Sequence, residues 1–299
     1  MTLVLAAISK EAIWVVADRR LSQRGRALID DACKIMFLET TDGIAILSYA
    51  GLGRTIAGVQ PSEWMSAVVR GRNLPLEQTL GLLAEAMQRE LPKHLLRFPP
   101  GMMPSHTIIA PAFVDDEPRL YILEVVLSAD RKQKSFRFVR QNDAGGRKPP
   151  LLAVAGSGGM SLFHRRKYWM RPLMRIVRAY DRSRVSAQTV ANHMATLNND
   201  VHAVDVSVGP RSIVAWRNRK SGIYKGGGAQ EFFNNCQRQN DSMIIPTIAS
   251  GMDVRGIVQV LWDDMMKGRF GLDADYHPNT DEINAKIATL PHGPDESLP

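Results

Sequence analysis

At 299 residues the chain can bury a sizeable core, as one large domain or two small ones, and 44% hydrophobic with 23% charged residues is the balance of a folded globular protein. Two cysteines, Cys33 and Cys236, exclude a disulfide framework and a four-cysteine metal site, and fit a reducing, cytosolic compartment. A formal net charge of +8 leaves room for an anionic partner, but no zinc-finger spacing or aromatic RNA-binding signature accompanies the basic clusters, so nucleic acid is disfavoured.

The N-terminus has no basic leader, and its apolar run breaks at Lys10-Glu11, so it does not read as a secretory signal; no run is long enough to cross a bilayer. Thr2 follows Met1 directly. Removal of Met1, which a small second residue permits, would leave a threonine carrying both a hydroxyl nucleophile and a free α-amine to act as its base. Leu3–Ile8 and Ala12–Ala17 are apolar runs separated by a polar turn, which reads as a β-hairpin. A hairpin of that length returns Asp18 to the neighbourhood of Thr2. A third strand, Cys33–Leu38, can bring Lys34 to the same side. An ammonium there would lower the amine's pKa by like-charge repulsion, and Asp18 would hold that ammonium. A fourth strand, Gly43–Tyr49, exits through Ala50-Gly51-Leu52-Gly53, where glycine lets the backbone approach a substrate.

This set resembles the proteasome-type β subunits, a branch of the N-terminal nucleophile hydrolases. The matching pieces are Thr2, Ala17-Asp18-Arg19-Arg20, Lys34 and Ala50-Gly51. Gly51 falls about three residues later than the pattern expects, and the longer turn at Thr40–Gly43 explains the offset. The resemblance implies that Thr2, Asp18, Arg20 and Lys34 are catalytic and that the Gly51 N–H is an oxyanion donor. It also implies a bacterial proteasome-like protein that assembles as a homo-oligomeric ring, cleaves peptide or protein substrates and needs no metal or organic cofactor. Whether an ATPase partner serves it is not specified. Beside the nucleophile, Leu21, Ala32, Met36, Tyr49 and Gly53 would line the substrate pocket.

Two helices follow, Pro61 to about Arg70 and a second opening at Leu74-Pro75, whose Leu80, Leu83, Ala84 and Met87 mark a buried face. Pro99-Pro100-Gly101 closes that region. Thr107–Val114 and Leu120–Leu127 read as strands joined by a turn at Asp115–Pro118, with Ser135–Val139 a further strand and Gln141–Gly146 a loop. Leu151–Ala155 is a strand running into Gly156-Ser157-Gly158 and a helix, Met160–Tyr180. A glycine-rich strand-to-helix turn can bind phosphate, but the P-loop pattern is absent. The resemblance instead implies that Ser157 hydrogen-bonds near the threonine amine.

A helix from Ser186 ends around Asn198–Asp200. The resemblance expects a supporting aspartate after it and a serine three residues on. Asp205 fits the first, with Asp200 the alternative; Val208 occupies the second, and Ser207 could substitute. His193 and His202 read as helix residues rather than ligands. Residues 226–299 outrun the family core, with a short apolar stretch at Met243–Ala249, a helix from Asp253 to Met266 and a polar tail from Asp273.

The expected architecture is α+β, a four-layer αββα sandwich with two antiparallel sheets, carried by residues 1–225, with 226–299 as an extension. The expected function is a threonine-type peptidase. The alternatives are a small-amide hydrolase of the same fold, a non-catalytic structural subunit, and an anion-binding protein.

Overall fold

The computed structural model describes residues 2–21, 29–51, 53, 59–95, 106–127, 134–140, 148–219, 226–234, 236–237, 245–270 and 279–288. The expected loop at Gln141–Gly146, the boundary at Pro99–Gly101 and the last eleven residues of the tail lie outside them. The fold is mixed α+β, with two sheets and, among the described residues, seven helices.

The apolar runs at the N-terminus form β1 (Val4–Ile8) and β2 (Ala12–Asp18), every residue of both buried. Ser9 shapes the turn, its Oγ accepting from the N–H groups of Glu11 and Ala12. The register pairs Val4 with Ala17, which sets Asp18 opposite Leu3 at the open end of the hairpin. A sheet buried on both faces explains why these runs are continuously apolar rather than alternating. β3 (Ile35–Glu39) pairs with β4 (Gly43–Ala50) in the second sheet, which continues through β5 (Thr107–Val114), β6 (Glu117–Leu127) and β7 (Lys134–Arg140). β8 (Leu151–Ala155) returns to the first sheet beside β1.

Helices α1 (Pro61–Val69) and α2 (Leu76–Leu95) lie between β4 and β5 in the chain; α3 (Gly158–His164), α4 (Arg166–Asp181) and α5 (Ala187–Val204) follow β8. β9 (Arg211–Asn218) pairs with β2, and β10 (Gly227–Phe233) and β11 (Cys236–Gln237) extend that sheet. β12 (Thr247–Ala249) and β13 (Met252–Asp253) complete the second sheet, followed by α6 (Val254–Phe270) and α7 (Thr280–Ala288).

Three apolar clusters hold these elements. One joins the two sheets, with Val4, Ile13 and Val15 against Ile35, Ile46 and Ile109. A second packs Leu3, Leu5 and Trp14 of the first sheet against Trp169, Leu173, Met194 and Leu197 of α4 and α5. A third packs Met36, Leu47 and Tyr121 of the second sheet against Met65, Val69, Leu80 and Leu83 of α1 and α2. No helix among the described residues is long and apolar enough to cross a membrane.

Several sequence expectations shift. Lys34 stands just before β3 rather than within it, since ladder pairing begins at Ile35. The single helix expected over Met160–Tyr180 is two, broken at Arg165 (φ −110°, ψ 29°). Nothing in the apolar spacing signals that break, because Leu162 and Trp169 both point inward. The helix after Ser186 runs on to Val204, its cap accepting from the Thr189 N–H. Past residue 225 the strands join both sheets, and β12 runs parallel to β3, so the pairing is not purely antiparallel. The tail contains α7, whose Ile283 is buried.

Candidate active site

Thr2 precedes β1 and Asp18 ends β2, so hairpin register alone carries the two to one end of the first sheet. Lys34 arrives from the second sheet, its carbonyl tied to the Tyr49 N–H at 3.0 Å. The three side chains meet there and are almost sealed from solvent: Thr2 is 3% exposed, Asp18 1% and Lys34 4%. Lys34 Nζ donates to Thr2 Oγ1, and that hydroxyl donates to Asp18 Oδ1. Lys34 Nζ also donates to Asp18 Oδ1 at 3.0 Å and to the Arg20 carbonyl at 2.7 Å. The sequence reading set Lys34 beside the threonine amine; its direct contact is with the hydroxyl.

The Asp18 carboxylate is held from the backbone as well. Oδ1 accepts from the Leu3 N–H at 2.8 Å, and Oδ2 from the N–H groups of Arg20 and Gly209, both at 3.1 Å. Burial pushes the Lys34 ammonium below its ordinary pKa, and the charge and hydrogen bond of Asp18 work against that shift. An amine whose ammonium is disfavoured in this way is a candidate proton acceptor.

On the other side of Thr2 lies the Gly156-Ser157-Gly158 turn. The Thr2 N–H donates to Ser157 Oγ at 3.3 Å, and the Thr2 carbonyl accepts from the Gly158 N–H at 3.2 Å. Gly156 has φ +88°, and a Cβ there would come within 2.1 Å of the Thr2 carbonyl oxygen. The turn is therefore shaped to receive the Thr2 backbone. One amide that a phosphate would seek at a helix start is already taken.

From Ser157 the contacts run outward. Its Oγ is 3.3 Å from Ser207 Oγ, and Ser207 donates through both N–H (3.0 Å) and Oγ to Asp205 Oδ1. Asp205 thus reaches Thr2 through two serine hydroxyls. Ser207 brings a hydroxyl where Val208 has none; Val208 is buried instead against Gly158. Asp200 lies elsewhere, beside His193, and burial raises its pKa.

Arg20 is clamped by Asp30 (Nε–Oδ1 2.7 Å, Nη2–Oδ2 2.8 Å) and donates to the Val206 carbonyl at 2.6 Å, which pins the α5–β9 loop. The bond to Asp30 raises the Arg20 pKa, and Arg20 in turn depresses the Asp30 pKa. Gly51, directly after β4, has φ +147°, a conformation glycine adopts freely.

Of the expected pocket residues, Leu21 bridges to Ile29 and lies beside Gly53, where an added Cβ would meet Leu21 Cδ2 at 3.2 Å. The Ala32 N–H donates to the Arg19 carbonyl at 3.0 Å. Met36 and Tyr49 belong to the cluster under α1 and α2, and the Tyr49 hydroxyl is 2.6 Å from His106 Nδ1.

Four participants escaped the sequence reading. Asp30 was visible as one of two adjacent acids ahead of Lys34. Glu231, which receives Arg19 at 2.6 Å and Arg211 Nε at 2.7 Å, lies past residue 225, where the sequence points to no site residue. The Gly209 N–H has no sequence signal, since a backbone donor has no residue type of its own, and Asn198, whose Nδ2 donates to the Gly209 carbonyl at 3.1 Å, reads in the sequence only as a helix end. Among the described residues no group of three or more His, Cys, Asp or Glu could hold a metal ion.

The fold carrying this site is proteasome-related. A structure of Anbu (ancestral beta-subunit) from Yersinia bercovieri aligns over 92% of this chain and 99% of its own, with a TM-score of 0.50 at 9% identity. Anbu from Hyphomicrobium sp. strain MC1 aligns over 92% of this chain and 99% of its own, with a TM-score of 0.48 at 11% identity. No family model and no curated protein matches the sequence. These findings correct the resemblance drawn from Thr2, Asp18, Arg20, Lys34 and Gly51: it does not extend to membership of the proteasome-type β-subunit family. What the chain shares with Anbu from Yersinia bercovieri is the fold, at 9% identity.

Proposed function

We propose that the chain is a threonine-type amide hydrolase acting on peptides, with Thr2, exposed by removal of Met1, as nucleophile. The observation that carries this reading is the Thr2 hydroxyl held between the Lys34 ammonium and the Asp18 carboxylate in a nearly dry pocket. Thr2 Oγ attacks the substrate carbonyl while the Thr2 amine, through a water, takes the hydroxyl proton and passes it to the leaving amine. The Gly51 N–H stabilises the oxyanion, worth about 3 kcal/mol for one such donor. The threonyl ester that remains is cleaved by water. Asp18 and Arg20 are positioning residues, and Asp205 acts through Ser207 and Ser157.

A second form of the proton transfer is favoured by the direct contact of Lys34 Nζ with Oγ1. In it, Lys34, driven toward neutrality by burial, takes the hydroxyl proton itself. Lys34→Arg keeps a cation but cannot lose its proton. Residual turnover in that variant supports the amine as base, and turnover as low as in Thr2→Ala supports Lys34.

The αββα layering belongs to the same reading, with the three apolar clusters as its interfaces. So do a hydrolase unit over 1–225 with 226–299 as an addition, a homo-oligomeric assembly and a cytosolic location. The test is hydrolysis of a fluorogenic peptide by the wild type and by Thr2→Ala, with intact-mass measurement of the N-terminus. Loss of turnover on a chain lacking Met1 is the expected result. Unchanged turnover in Thr2→Ala refutes the mechanism, and quantitative retention of Met1 refutes the amine's part in it.

A further inference from the structure

Lys34 stands one residue ahead of the β3 ladder, so strand pairing alone does not place it. The peptides on either side of Cys33, the residue before it, are held from α1 instead. Gln60, which precedes the helix, accepts the Cys33 N–H through Oε1 at 2.5 Å. Ser62, fully buried in the first turn, donates through Oγ to the Cys33 carbonyl at 2.9 Å. That carbonyl belongs to the same planar peptide as the Lys34 nitrogen, so fixing one fixes the other. Gln60 is itself anchored, its N–H donating to the Glu63 carboxylate at 3.2 Å. On the far side of Lys34, its own carbonyl accepts the Tyr49 N–H. The side chain therefore sets out toward Thr2 and Asp18 from a fixed origin.

The other end of α1 is held by the segment beyond residue 225. Arg70, which ends the helix, pairs with Asp253 of β13, both side chains largely buried. The Gly71 N–H donates to the Gly251 carbonyl at 2.7 Å, and Gly251 has φ +82°, where an added Cβ would come within 2.9 Å of the Arg72 backbone. β12 lies along β3 itself. The Phe37 N–H donates to the Pro246 carbonyl at 2.9 Å, and the Ser250 N–H to the Glu39 carbonyl at 3.0 Å. Ile248 of β12 shares the apolar cluster of Met36, Met65 and Val69. Asp253 Oδ1 also accepts the Gly256 N–H at 2.9 Å, so one carboxylate ties α1 to the start of α6. Both elements that bracket Lys34, β3 and α1, thus rest on β12 and β13.

We propose that the first turn of α1 positions Lys34, and that β12 and β13 brace α1 and β3 to keep it there, which gives the segment beyond residue 225 a part in the candidate site. Gln60 and Ser62 are positioning residues, and the Arg70–Asp253 pair holds their helix. Lys34 Nζ serves three oxygens at once, Thr2 Oγ1, Asp18 Oδ1 and the Arg20 carbonyl, so its place is narrowly defined. A misplacement of about 1 Å at such a site can cost about a hundredfold in rate. The inference rests on the proposed function for what Lys34 does at Thr2, but the placement of Lys34 is readable without turnover.

The test titrates the Lys34 side chain by nuclear magnetic resonance in protein carrying isotope-labelled lysine, its signal assigned by its loss in Lys34→Arg. Wild type, Ser62→Ala and Asp253→Asn are compared with Ser66→Ala, which removes a hydroxyl that bonds within α1, to the Glu63 carbonyl. Burial depresses the wild-type midpoint. In Ser62→Ala the released peptide lets the ammonium reach water, and the midpoint is expected to rise by about one pH unit toward the ordinary lysine range. Turnover of a fluorogenic peptide is expected to fall about ten- to a hundredfold in kcat, with KM unchanged. Asp253→Asn keeps a residue able to cap α6 and removes the charge opposite Arg70; it is expected to move the midpoint in the same direction. Ser66→Ala is expected to match the wild type in both readouts. If Ser62→Ala fails to fold, Gln60→Met replaces it, removing the acceptor of the Cys33 N–H. A midpoint unmoved in Ser62→Ala, or moved as far in Ser66→Ala, overturns the inference. An unmoved midpoint in Asp253→Asn overturns the part given to β12 and β13. A wild type that turns over no peptide refutes the hydrolase reading instead, and the titration still decides the placement of Lys34.

Discussion

Replacing Asp18 by asparagine changes one atom of the candidate site and tests how the whole constellation is held. Oδ1 accepts from the Thr2 hydroxyl, the Leu3 N–H and Lys34 Nζ, and Oδ2 accepts from the N–H groups of Arg20 and Gly209. An asparagine amide nitrogen in place of Oδ2 would point a donor at two donors, and turning the amide over moves the conflict to Leu3 and Lys34. Each buried amide left unsatisfied costs about 1–3 kcal/mol, and stripping a buried cation of its counter-charge about 3–5 kcal/mol. Since Lys34 keeps the Arg20 carbonyl and can lose its proton, the loss falls at the bottom of the summed range, about 5 kcal/mol.

The pH dependence has a definite sign. Burial lowers the Lys34 pKa in the folded chain, so between the folded and unfolded values the unfolded chain binds more protons and stability rises with pH. The slope reaches at most about 1.4 kcal/mol per pH unit for one group. Asp18 opposes that lowering, so in Asp18→Asn the folded value drops further and the rise begins at lower pH. Urea unfolding of wild type and variant between neutral pH and the ordinary lysine range reads both effects. A loss below about 1 kcal/mol, or a rise that begins at the same pH in both proteins, refutes the account of the buried pair.

Other perturbations probe the supports one at a time. Gly156→Val places a Cβ where 2.1 Å separates it from the Thr2 carbonyl oxygen, at φ +88°; a loss of at least about 2 kcal/mol in unfolding free energy and of peptide turnover is expected. Asp30→Asn removes the partner that raises the Arg20 pKa; because Asp30 is partly exposed, only about 1 kcal/mol is expected by thermal melting. The contribution of Asp30, whose pKa is depressed when folded, should fade in wild type as pH falls through and below the ordinary carboxylate range. Cys33 is buried with its thiol pKa raised by burial, while Cys236 is exposed, so a thiol reagent should label one cysteine in the native protein and two in denaturant.

How much of the candidate site can be read from the sequence depends on which interactions are local. The sixteen-residue interval between Thr2 and Asp18 is legible because antiparallel strands joined by a tight turn must return to the same end. Gly156 and Gly158 are legible as a glycine-rich strand-to-helix turn, while only the fold shows that the turn closes on the backbone of Thr2. The break at Arg165 had no signal, and neither did the use of residues beyond 225 in both sheets. Strand pairings such as β2 with β9 and β3 with β12 join segments nearly two hundred residues or more apart, and hydrophobic pattern specifies a buried face without naming its neighbour.

The sequence by itself determined the strand-then-helix alternation, the N-terminal hairpin and the residues able to perform nucleophile-and-base chemistry, because each is encoded by periodicity or residue type within a short window. Only the tertiary structure decided that Lys34 touches the Thr2 hydroxyl rather than its amine, that Ser207 links Asp205 to Ser157, and that backbone amides from Leu3, Arg20 and Gly209 hold Asp18. Those contacts depend on where two sheets and a distant loop come to rest against one another. Distances of a few ångströms between remote segments are set by the packing of the whole core and are written at no single position in the chain.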